Sequence, residues 1–213
     1  MELSGVRVHD RIVRVLVATA VAAEQAACER TPADVHTVGV GPAAAAAGTA
    51  ALLAQYDYDL VVCAGIAGGL NGTGVGEVVV ADQIVFAGLG AETPDGFRPL
   101  SALGFGHERY PVDADLARQL AHRTGGVLGT VLTVTTVSGS EDTLATLRRR
   151  HPDARAEAME GAGVAAAAAR FGVPYAELRS ISNVVGPRDR TSWQIDAALL
   201  NLSRAVAAIG DLT

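Results

Sequence analysis

Three polar side chains stand at the ends of apolar segments of this 213-residue chain, and their types suit the binding of a sugar. Glu160 opens a run of Gly, Ala and Val, Asn183 follows the apolar run 175–181, and Glu24 lies in an Ala-rich stretch. A carboxylate accepts hydrogen bonds from two adjacent hydroxyls at once, as a ribose diol offers them. The plain alternatives are helix capping by Glu160 and turn or surface positions for the other two. The functional interpretation therefore requires all three side chains to meet in one pocket.

The elements that must position these residues are strands alternating with helices. β-Branched or apolar runs predict strands, and Ala-rich or amphipathic runs predict helices. The predicted strands are 14–19, 35–40, 60–64, 77–87, 129–137, 156–159 and 175–182, and the predicted helices are 20–29, 43–56, 114–123, 141–150, 161–171 and 192–209. We expect one α/β domain over residues 1–213, with 1–13 as an N-terminal extension. Its predicted architecture is a three-layer α/β/α sandwich with a mixed, mostly parallel central sheet.

Site residues are expected in the loops that follow the strands, because ligands of open α/β sheets bind beyond the carboxyl ends of strands. These loops are 19–24, 65–69, 138–143, 159–160 and 182–183. The glycines of 65–69 let the backbone approach a ligand, although an ordinary tight turn explains them equally well. Gly39, Gly41 and Ala44 match a dinucleotide-binding GxGxxA pattern, but Pro42 removes a backbone N–H that a pyrophosphate would use. The pattern therefore gives little support to a nicotinamide cofactor.

Composition and charge exclude several classes of partner. With 17 basic and 23 acidic residues the chain carries a net charge of −6, so it lacks the cationic surface that nucleic acid or anionic lipid requires. The first thirteen residues have no signal-peptide pattern, and no charge-free apolar span of about 20 residues follows. A soluble, cytoplasmic protein is expected. Cys28 and Cys63 show no CxxC or metal spacing and are expected to be buried free thiols.

Five segments resemble a known superfamily, and they are 16–24, 64–69, 136–139, 158–163 and 179–193. Through them the chain resembles the nucleoside phosphorylase/nucleosidase superfamily from Arg14 onward, and its C-terminal part is most similar to the futalosine hydrolases. The pair Met159 and Glu160, with a Ser-Asn after a later strand, is fairly specific, whereas the glycine turn is not. The resemblance implies a nucleoside phosphorylase-like fold and cleavage of an N-glycosidic bond without a metal or organic cofactor.

The resemblance also implies roles for the site residues. Glu24 falls where nucleosidases of the superfamily carry the glutamate that activates water for attack on the anomeric carbon. Met159 would pack against the ribose face, and Glu160 would hold the 2′- and 3′-hydroxyls as the sugar gains oxocarbenium character. Ile66 and Gly68 of the glycine turn would border the substrate, although Ile66 replaces a serine of the adenosine-type nucleosidases.

Asn183 stands where the adenosine-specific relatives carry an aspartate, and the exchange points to a different base. When a purine leaves protonated on N7, adenine offers two donors to a carboxylate, whereas a 6-oxopurine offers the N7–H donor and the O6 acceptor. A carboxamide, with one C=O and one NH₂, matches the second pair, and a wrong pairing leaves a buried polar group unsatisfied. Asn183 therefore favours hypoxanthine or guanine over adenine.

Water is favoured over phosphate as the nucleophile. The resembling phosphorylases supply arginines from the first loop and from just before the glycine turn, and this chain has no arginine in 19–23 or 63–64. Glu24 would also repel a phosphate dianion. Hydrolysis is therefore expected rather than phosphorolysis.

Two further groups of residues complete the predicted site. Ser138, Asp142 and Thr143 would line the base pocket. Arg188 and Arg190, beside Trp193, would meet the carboxyphenyl-ketone group of futalosine, although a solvated loop explains the two arginines equally well. Subunits of the resembling proteins pair next to the active site, so a homodimer or larger even oligomer is expected.

The predicted function is hydrolysis of a 6-oxopurine nucleoside, most plausibly futalosine, to hypoxanthine and dehypoxanthine futalosine for menaquinone biosynthesis. A methylthioadenosine/S-adenosylhomocysteine nucleosidase and an inosine phosphorylase are alternatives of the same class. A noncatalytic nucleoside-binding protein on the same scaffold is an alternative of another class.

Overall fold

The computed structural model describes residues 13–187 and 189–209, and these form ten strands and six α-helices. The strands are β1 Val15–Thr19, β2 Asp34–Thr37, β3 Leu60–Gly69, β4 Val78–Phe86, β5 Gly90–Thr93, β6 Gly96–Pro99, β7 Arg109–Pro111, β8 Val127–Thr133, β9 Ala154–Ala158 and β10 Tyr175–Val184. The helices are α1 Ala22–Cys28, α2 Pro42–Leu53, α3 Ala114–Thr124, α4 Glu141–Arg150, α5 Gly161–Phe171 and α6 Ile195–Ala207. Each predicted helix is found, with ends that shift by a few residues.

The central sheet is mixed and mostly parallel, as predicted. Its strand order is β10-β4-β8-β9-β3-β1-β2, β7 adds to β4, and β5 and β6 form a separate hairpin. Five of its pairings are parallel and three are antiparallel. β10 also pairs with β3, so the strands β10, β4, β8, β9 and β3 close into a ring. The sequence did not indicate this ring, because strand pairing between distant segments leaves no local pattern.

Helices cover both faces of the flat part of the sheet. Val15 and Val17 of β1 belong to the core that also contains buried residues of α1, α3 and α6, whereas Leu16 and Ala18 pack with α2 and α5. This alternation follows from the period of two in a strand, and it requires every residue of β1 to be apolar or small. The α/β/α layering is therefore confirmed.

Small side chains bring α2 and α5 close together. A Cβ added at Gly163 of α5 would lie 2.1 Å from the backbone oxygen of Pro42, the first residue of α2. Only glycine fits there, so the small residues of the two helices allow their close approach. The approach also sets the position of Gly41, immediately before α2.

The glycine-rich stretch 65–69 is the clearest difference from the sequence prediction. It was predicted as a turn after a strand ending near residue 64, but β3 continues through it to Gly69. These residues pair with β10 on one side, and Gly68 and Gly69 pair with β9 on the other. Gly68 and Gly69 are therefore paired with a neighbouring strand on each side. The lack of a Cβ at Gly65 leaves room for the side chains of Glu24 and Arg179.

Candidate active site

Glu24 is held in the first turn of α1 with its carboxylate turned toward β3. It is buried, its Oε1 accepts the N–H of Ile66 at 2.9 Å, and its Oε2 accepts the N–H of Ala20 at 2.9 Å. A Cβ added at Gly65 would lie 2.6 Å from Glu24 Oε1 and 2.5 Å from Arg179 Nη1. The glycine therefore gives the carboxylate and the guanidinium a shared position against the strand backbone.

Glu160 does not cap its helix with its side chain. It occupies the N-cap position of α5 but makes no side-chain cap hydrogen bond. Its Oε1 accepts the N–H of Gly41 at 3.1 Å, and its Oε2 accepts Arg179 Nη2 at 3.2 Å. The capping alternative raised by the sequence is thus not what the carboxylate does. The GxGxxA stretch, weak as a dinucleotide motif, supplies the Gly41 N–H that holds Glu160.

Arg179 of β10 forms ion pairs with Glu160 and Glu177 and interacts electrostatically with Glu24. Its side chain is 1% exposed, its Nε donates to Glu177 Oε1 at 2.8 Å, and its Nη2 also lies 3.2 Å from the Sγ of Cys63. Burial raises the pKa of Glu177, and the Arg179 charge opposes that rise. The guanidinium is thereby fixed between Glu177 behind it and Glu160 and Glu24 in front.

Both cysteines are free and buried, as the sequence predicted. Burial raises the pKa of the Cys28 thiol to about 12, with a further contribution from Glu24. Burial likewise raises the pKa of Cys63, although Arg179 opposes it. Neither thiol therefore carries a nucleophilic thiolate near neutral pH.

Asn183 lies near the end of β10, opposite Gly68 of β3, just after a register shift. Its Oδ1 accepts the Ser182 hydroxyl at 2.9 Å, and its Nδ2 donates to the Val184 carbonyl at 3.2 Å. Each of these amide atoms has capacity for another partner. The side chain can therefore still meet both a donor and an acceptor of a ligand.

A cavity of about 70 Å³ opens beside Asn183. Gly68, Ser138 and Trp193 from the predicted site line it, together with Glu157, which the sequence analysis did not single out. Pockets that hold a whole drug-sized ligand measure about 300–1,000 Å³. This cavity is therefore smaller than a pocket that encloses a whole nucleoside.

Glu157, the penultimate residue of β9, is anchored by one residue on the opposite wall. Its Oε1 accepts the N–H of Ser138 at 2.7 Å, and its Oε2 accepts the Ser138 hydroxyl at 2.5 Å. Burial raises the pKa of Glu157, and these two hydrogen bonds only partly offset the effect. The carboxylate holds the 138 loop against the sheet at the edge of the cavity.

The remaining predicted residues are placed unevenly. Met159 is half-buried and packs against a core cluster under α4, and Ile66 meets Glu24 through its backbone. Asp142 and Thr143 lie exposed in the first turn of α4, away from the cavity, and Thr143 is engaged with the capping residue Ser140. The structure thus does not bring this pair to the base pocket.

Only part of the predicted contact to the group beyond the ribose lies within the described residues. Trp193 is half-buried at the cavity, with the Arg190 guanidinium 5.8 Å from its ring centroid. Arg188 lies outside the described residues.

The end of β3 is what the site residues share. Glu24 bonds to Ile66, Asn183 lies opposite Gly68, and Arg179 pairs with Gly65 in the adjacent strand. Glu160 joins them through Arg179. The elements therefore link Glu24, Glu160 and Asn183 along the end of β3, but neither glutamate lines the cavity beside Asn183, so this cavity does not unite the three side chains.

Sequence reasoning missed Arg179, Glu177 and Glu157. The run 175–181 was described as apolar, which is wrong at three positions, because Glu177, Arg179 and Ser180 lie buried within it. A signal was available, because opposite charges two residues apart in a strand point to the same face. Charged side chains in a buried strand are usually paired, so the spacing predicts an ion pair. Glu157 carried no such signal.

Two kinds of feature are absent from the described part of the chain, a metal-binding cluster and a membrane-spanning helix. In residues 13–187 and 189–209, no group of three or more His, Cys, Asp or Glu side chains is arranged to hold a metal ion. The same residues include no helix with the length and apolar character needed to cross a membrane.

Comparison with known proteins assigns the class. Residues 14–213 match the sequence profile described as "Phosphorylase superfamily". Among solved structures, a methylthioadenosine/S-adenosylhomocysteine nucleosidase from Colwellia psychrerythraea in complex with adenine superposes with a TM-score of 0.81 at 23% identity, covering 93% of this chain and 95% of that one. Native futalosine hydrolase of Helicobacter pylori gives 0.79 at 18% identity, covering 95% and 99%. At these identities the structures show the fold alone, which is that of the phosphorylase superfamily.

Curated relatives narrow the assignment. Futalosine hydrolase of Streptomyces coelicolor is 53% identical over 182 residues, which are 83% of this chain and 77% of that protein. Futalosine hydrolase of Thermus thermophilus is 37% identical over 175 residues, covering 79% and 76%. The chain belongs to the futalosine hydrolase family within the phosphorylase superfamily.

Proposed function

We propose that this protein hydrolyses the N-glycosidic bond of futalosine, releasing hypoxanthine and dehypoxanthine futalosine. The observation that carries the proposal is the pair of buried carboxylates, Glu24 and Glu160, arranged around Arg179 at the strand end that leads to Asn183. The identity to the curated futalosine hydrolases supports the substrate.

Glu24 and Glu160 have separate roles in this reaction. Each Glu24 oxygen accepts one backbone N–H, which fixes the carboxylate and leaves lone pairs for the proton of an attacking water. Glu160 is steadied by Gly41 and Arg179 and binds the ribose 2′- and 3′-hydroxyls, with Met159 beside the sugar. As the base leaves, the sugar gains positive charge, which the nearby carboxylates stabilise.

Asn183 recognises the leaving base. Its carbonyl accepts N7–H of hypoxanthine and its NH₂ donates to O6, a pairing that adenine cannot complete. Trp193, with Arg188 from the same loop, is proposed to meet the carboxyphenyl group at the far end of the substrate. A cytoplasmic homodimer or larger even oligomer acting in menaquinone biosynthesis is the setting that the family suggests.

Water suits this site better than phosphate. Arg179, the arginine beside Glu24, already pairs with Glu177 and Glu160, so it has little charge to offer a dianion. Two carboxylates near the reacting carbon would also repel phosphate. Both features favour hydrolysis.

The direct test is to incubate the pure protein with futalosine, inosine or methylthioadenosine, each with and without phosphate, and to quantify the released base by chromatography. We expect hypoxanthine from futalosine at the same rate with and without phosphate. Turnover that requires phosphate, or that occurs only with methylthioadenosine, contradicts the proposal. Absence of turnover with tight binding would indicate the noncatalytic alternative.

Replacing the proposed base gives a second test. Glu24→Gln should lower kcat for futalosine by roughly 10²–10⁴-fold, because general base catalysis contributes about this much, while substrate binding is kept. Glu29→Gln, at the exposed C-terminal end of the same helix, is the matched control and should keep full activity. Equal activity in the two variants would place the base elsewhere.

A further inference from the structure

Glu157 is a buried carboxylate that the proposed mechanism leaves unused, and it faces the same cavity as Asn183. It is 5% exposed, both of its oxygens accept from Ser138, and among residues 13–187 and 189–209 it forms no ion pair. Each oxygen has a second lone-pair direction available. A buried carboxylate of this kind is costly unless further donors meet it.

Glu108 shows what the same arrangement looks like when it is only structural. It is also buried and its two oxygens also accept the N–H and hydroxyl of one serine, Ser101, at 3.0 and 3.1 Å. Arg109 lies 3.5 Å away, and hydrogen bonds and this charge outweigh burial and lower the pKa of Glu108. Glu157 has the same serine anchor without such an ion pair in the described chain, and it lies at a cavity. Holding a loop therefore does not by itself account for it.

The missing donor fits the chemistry of a 6-oxopurine. Around the rim of hypoxanthine the polar atoms run N7, O6, N1, and N1 carries a hydrogen. If Asn183 spans N7 and O6, the next group along the rim is the N1–H donor, which requires an acceptor. Adenine presents an unprotonated N1 in the same place, and a carboxylate would repel that lone pair.

We propose that Glu157 accepts the N1–H of the 6-oxopurine base and, with Asn183, selects against 6-aminopurines. This inference rests on the proposed function, since it places the N7–O6–N1 edge of a purine at the cavity that the two side chains line. Ser138 acts as a positioning residue that aims the Glu157 carboxylate. The two side chains come from β9 and β10 and would contact different atoms of the base.

The test measures base binding by calorimetry with hypoxanthine, 1-methylhypoxanthine and adenine. For the wild-type protein we expect hypoxanthine to bind roughly 10–100-fold more tightly than either of the others, the range for a hydrogen bond to a charged group. In Glu157→Gln the carboxamide can donate to N1 of adenine, so the preference for hypoxanthine over adenine should shrink by about tenfold or more. Glu108→Gln, at the matching structural motif, should keep the wild-type preference.

Three outcomes overturn the inference. They are wild-type binding of 1-methylhypoxanthine as tight as that of hypoxanthine, an unchanged adenine preference in a folded Glu157→Gln, or the same change in Glu108→Gln. The first needs no variant, so it applies even if Glu157→Gln does not fold. If futalosine is hydrolysed but binding ignores N1, this inference fails alone; if N1 is read but futalosine is not cleaved, the proposed function fails instead.

Discussion

Arg179 concentrates the electrostatics of the site in one side chain. It is almost fully buried and pairs with Glu177 at 2.8 Å and with Glu160 at 3.2 Å. Its guanidinium and the Glu24 carboxylate both lie next to Gly65. Carboxylates out of water are costly, and their cost is offset here by a single cation that stays protonated. The positions of the two proposed catalytic carboxylates thus depend on a residue that need not touch the substrate.

Arg179→Met should be strongly destabilising. Removing one partner of a buried ion pair costs about 3–5 kcal/mol, which lowers the Tm of a chain this size by roughly 6–20 °C. Thermal and urea unfolding followed by circular dichroism measure the loss. Arg118→Met, which removes an exposed pair with Asp115, should cost less than about 1 kcal/mol. Similar losses in the two variants would show that the buried network does not hold the fold.

Asn183→Asp should weaken 6-oxopurine turnover. A carboxylate cannot donate to O6, and an unsatisfied buried group costs about 1–3 kcal/mol, so kcat/KM for futalosine should fall roughly 5–150-fold. Steady-state kinetics measure the effect. Asn201→Asp, on α6 and outside the cavity, is the control and should retain the wild-type value. An unaltered rate for Asn183→Asp would remove the reason for preferring hypoxanthine.

At the scale of elements, the approach of α2 to α5 sets the distance between the Gly41 N–H and the Glu160 carboxylate. Gly163 allows Pro42 to lie against α5, and the adjacent Gly41 N–H then reaches Glu160. The close packing of the two helices therefore also fixes one hydrogen bond of Glu160, the carboxylate proposed to bind the ribose.

Gly163→Ala should separate the two helices. The added Cβ meets backbone at 2.1 Å, so α2 must shift, with a cost of about 1–3 kcal/mol as for other overpacked cores. We also expect a raised KM, because Gly41 moves away from Glu160. Gly88→Ala is the control, since nothing lies within 4 Å of its added Cβ. A variant with lower Tm and wild-type KM would disconnect the helix contact from the site.

The sequence predicted most elements because local patterns define them. Pro42 at the start of α2 and Gly172 after α5 mark helix ends through their own backbone preferences. It did not predict that 65–69 is a strand, since glycine disfavours strands locally and the pairing partners β9 and β10 lie about a hundred residues further along. Tertiary pairing outweighed local preference there.

The site was predictable only in part for a similar reason. Glu24, Glu160 and Asn183 could be chosen because each is a polar residue beside an apolar run. Arg179 and Glu157 lie inside strands, where only the fold shows what their side chains meet. A residue whose role depends on partners distant in sequence is identified only from the structure. A polar residue at the end of an apolar element can be identified from the sequence.

At the scale of the whole molecule, the half-buried His151 makes the stability of the protein depend on pH. His151 ends α4, and its Nε2 is buried with no partner among the described residues. Burial, followed by the charges of Arg150 and Arg109, lowers its pKa from 6.5 to about 4. Between pH 6.5 and about pH 4, His151 is protonated in the unfolded chain but neutral in the folded chain. The free energy of unfolding therefore falls as the pH drops through this range.

His151→Gln should remove that part of the acid sensitivity. The difference in Tm between wild type and variant, measured from pH 7 to pH 4, should change in favour of the variant as the pH falls. His122→Gln, at an exposed position on α3, should follow the wild-type curve. Parallel curves for wild type and His151→Gln would assign the acid sensitivity to other groups.

The closed ring of strands has a consequence for how the protein is made. Its last member, β10, is residues 175–184, and it must insert between β3 and β4, which were synthesised about a hundred residues earlier. A nascent chain that has not reached this point carries two strands with open backbone edges, which are prone to pair with other chains. It also lacks Arg179, so Glu160 has no ion-pair partner and Glu24 has no nearby positive charge from β10 before the ring closes. A product truncated ahead of residue 175 should therefore be both aggregation-prone and inactive, because β10 completes the ring of strands and also supplies Arg179.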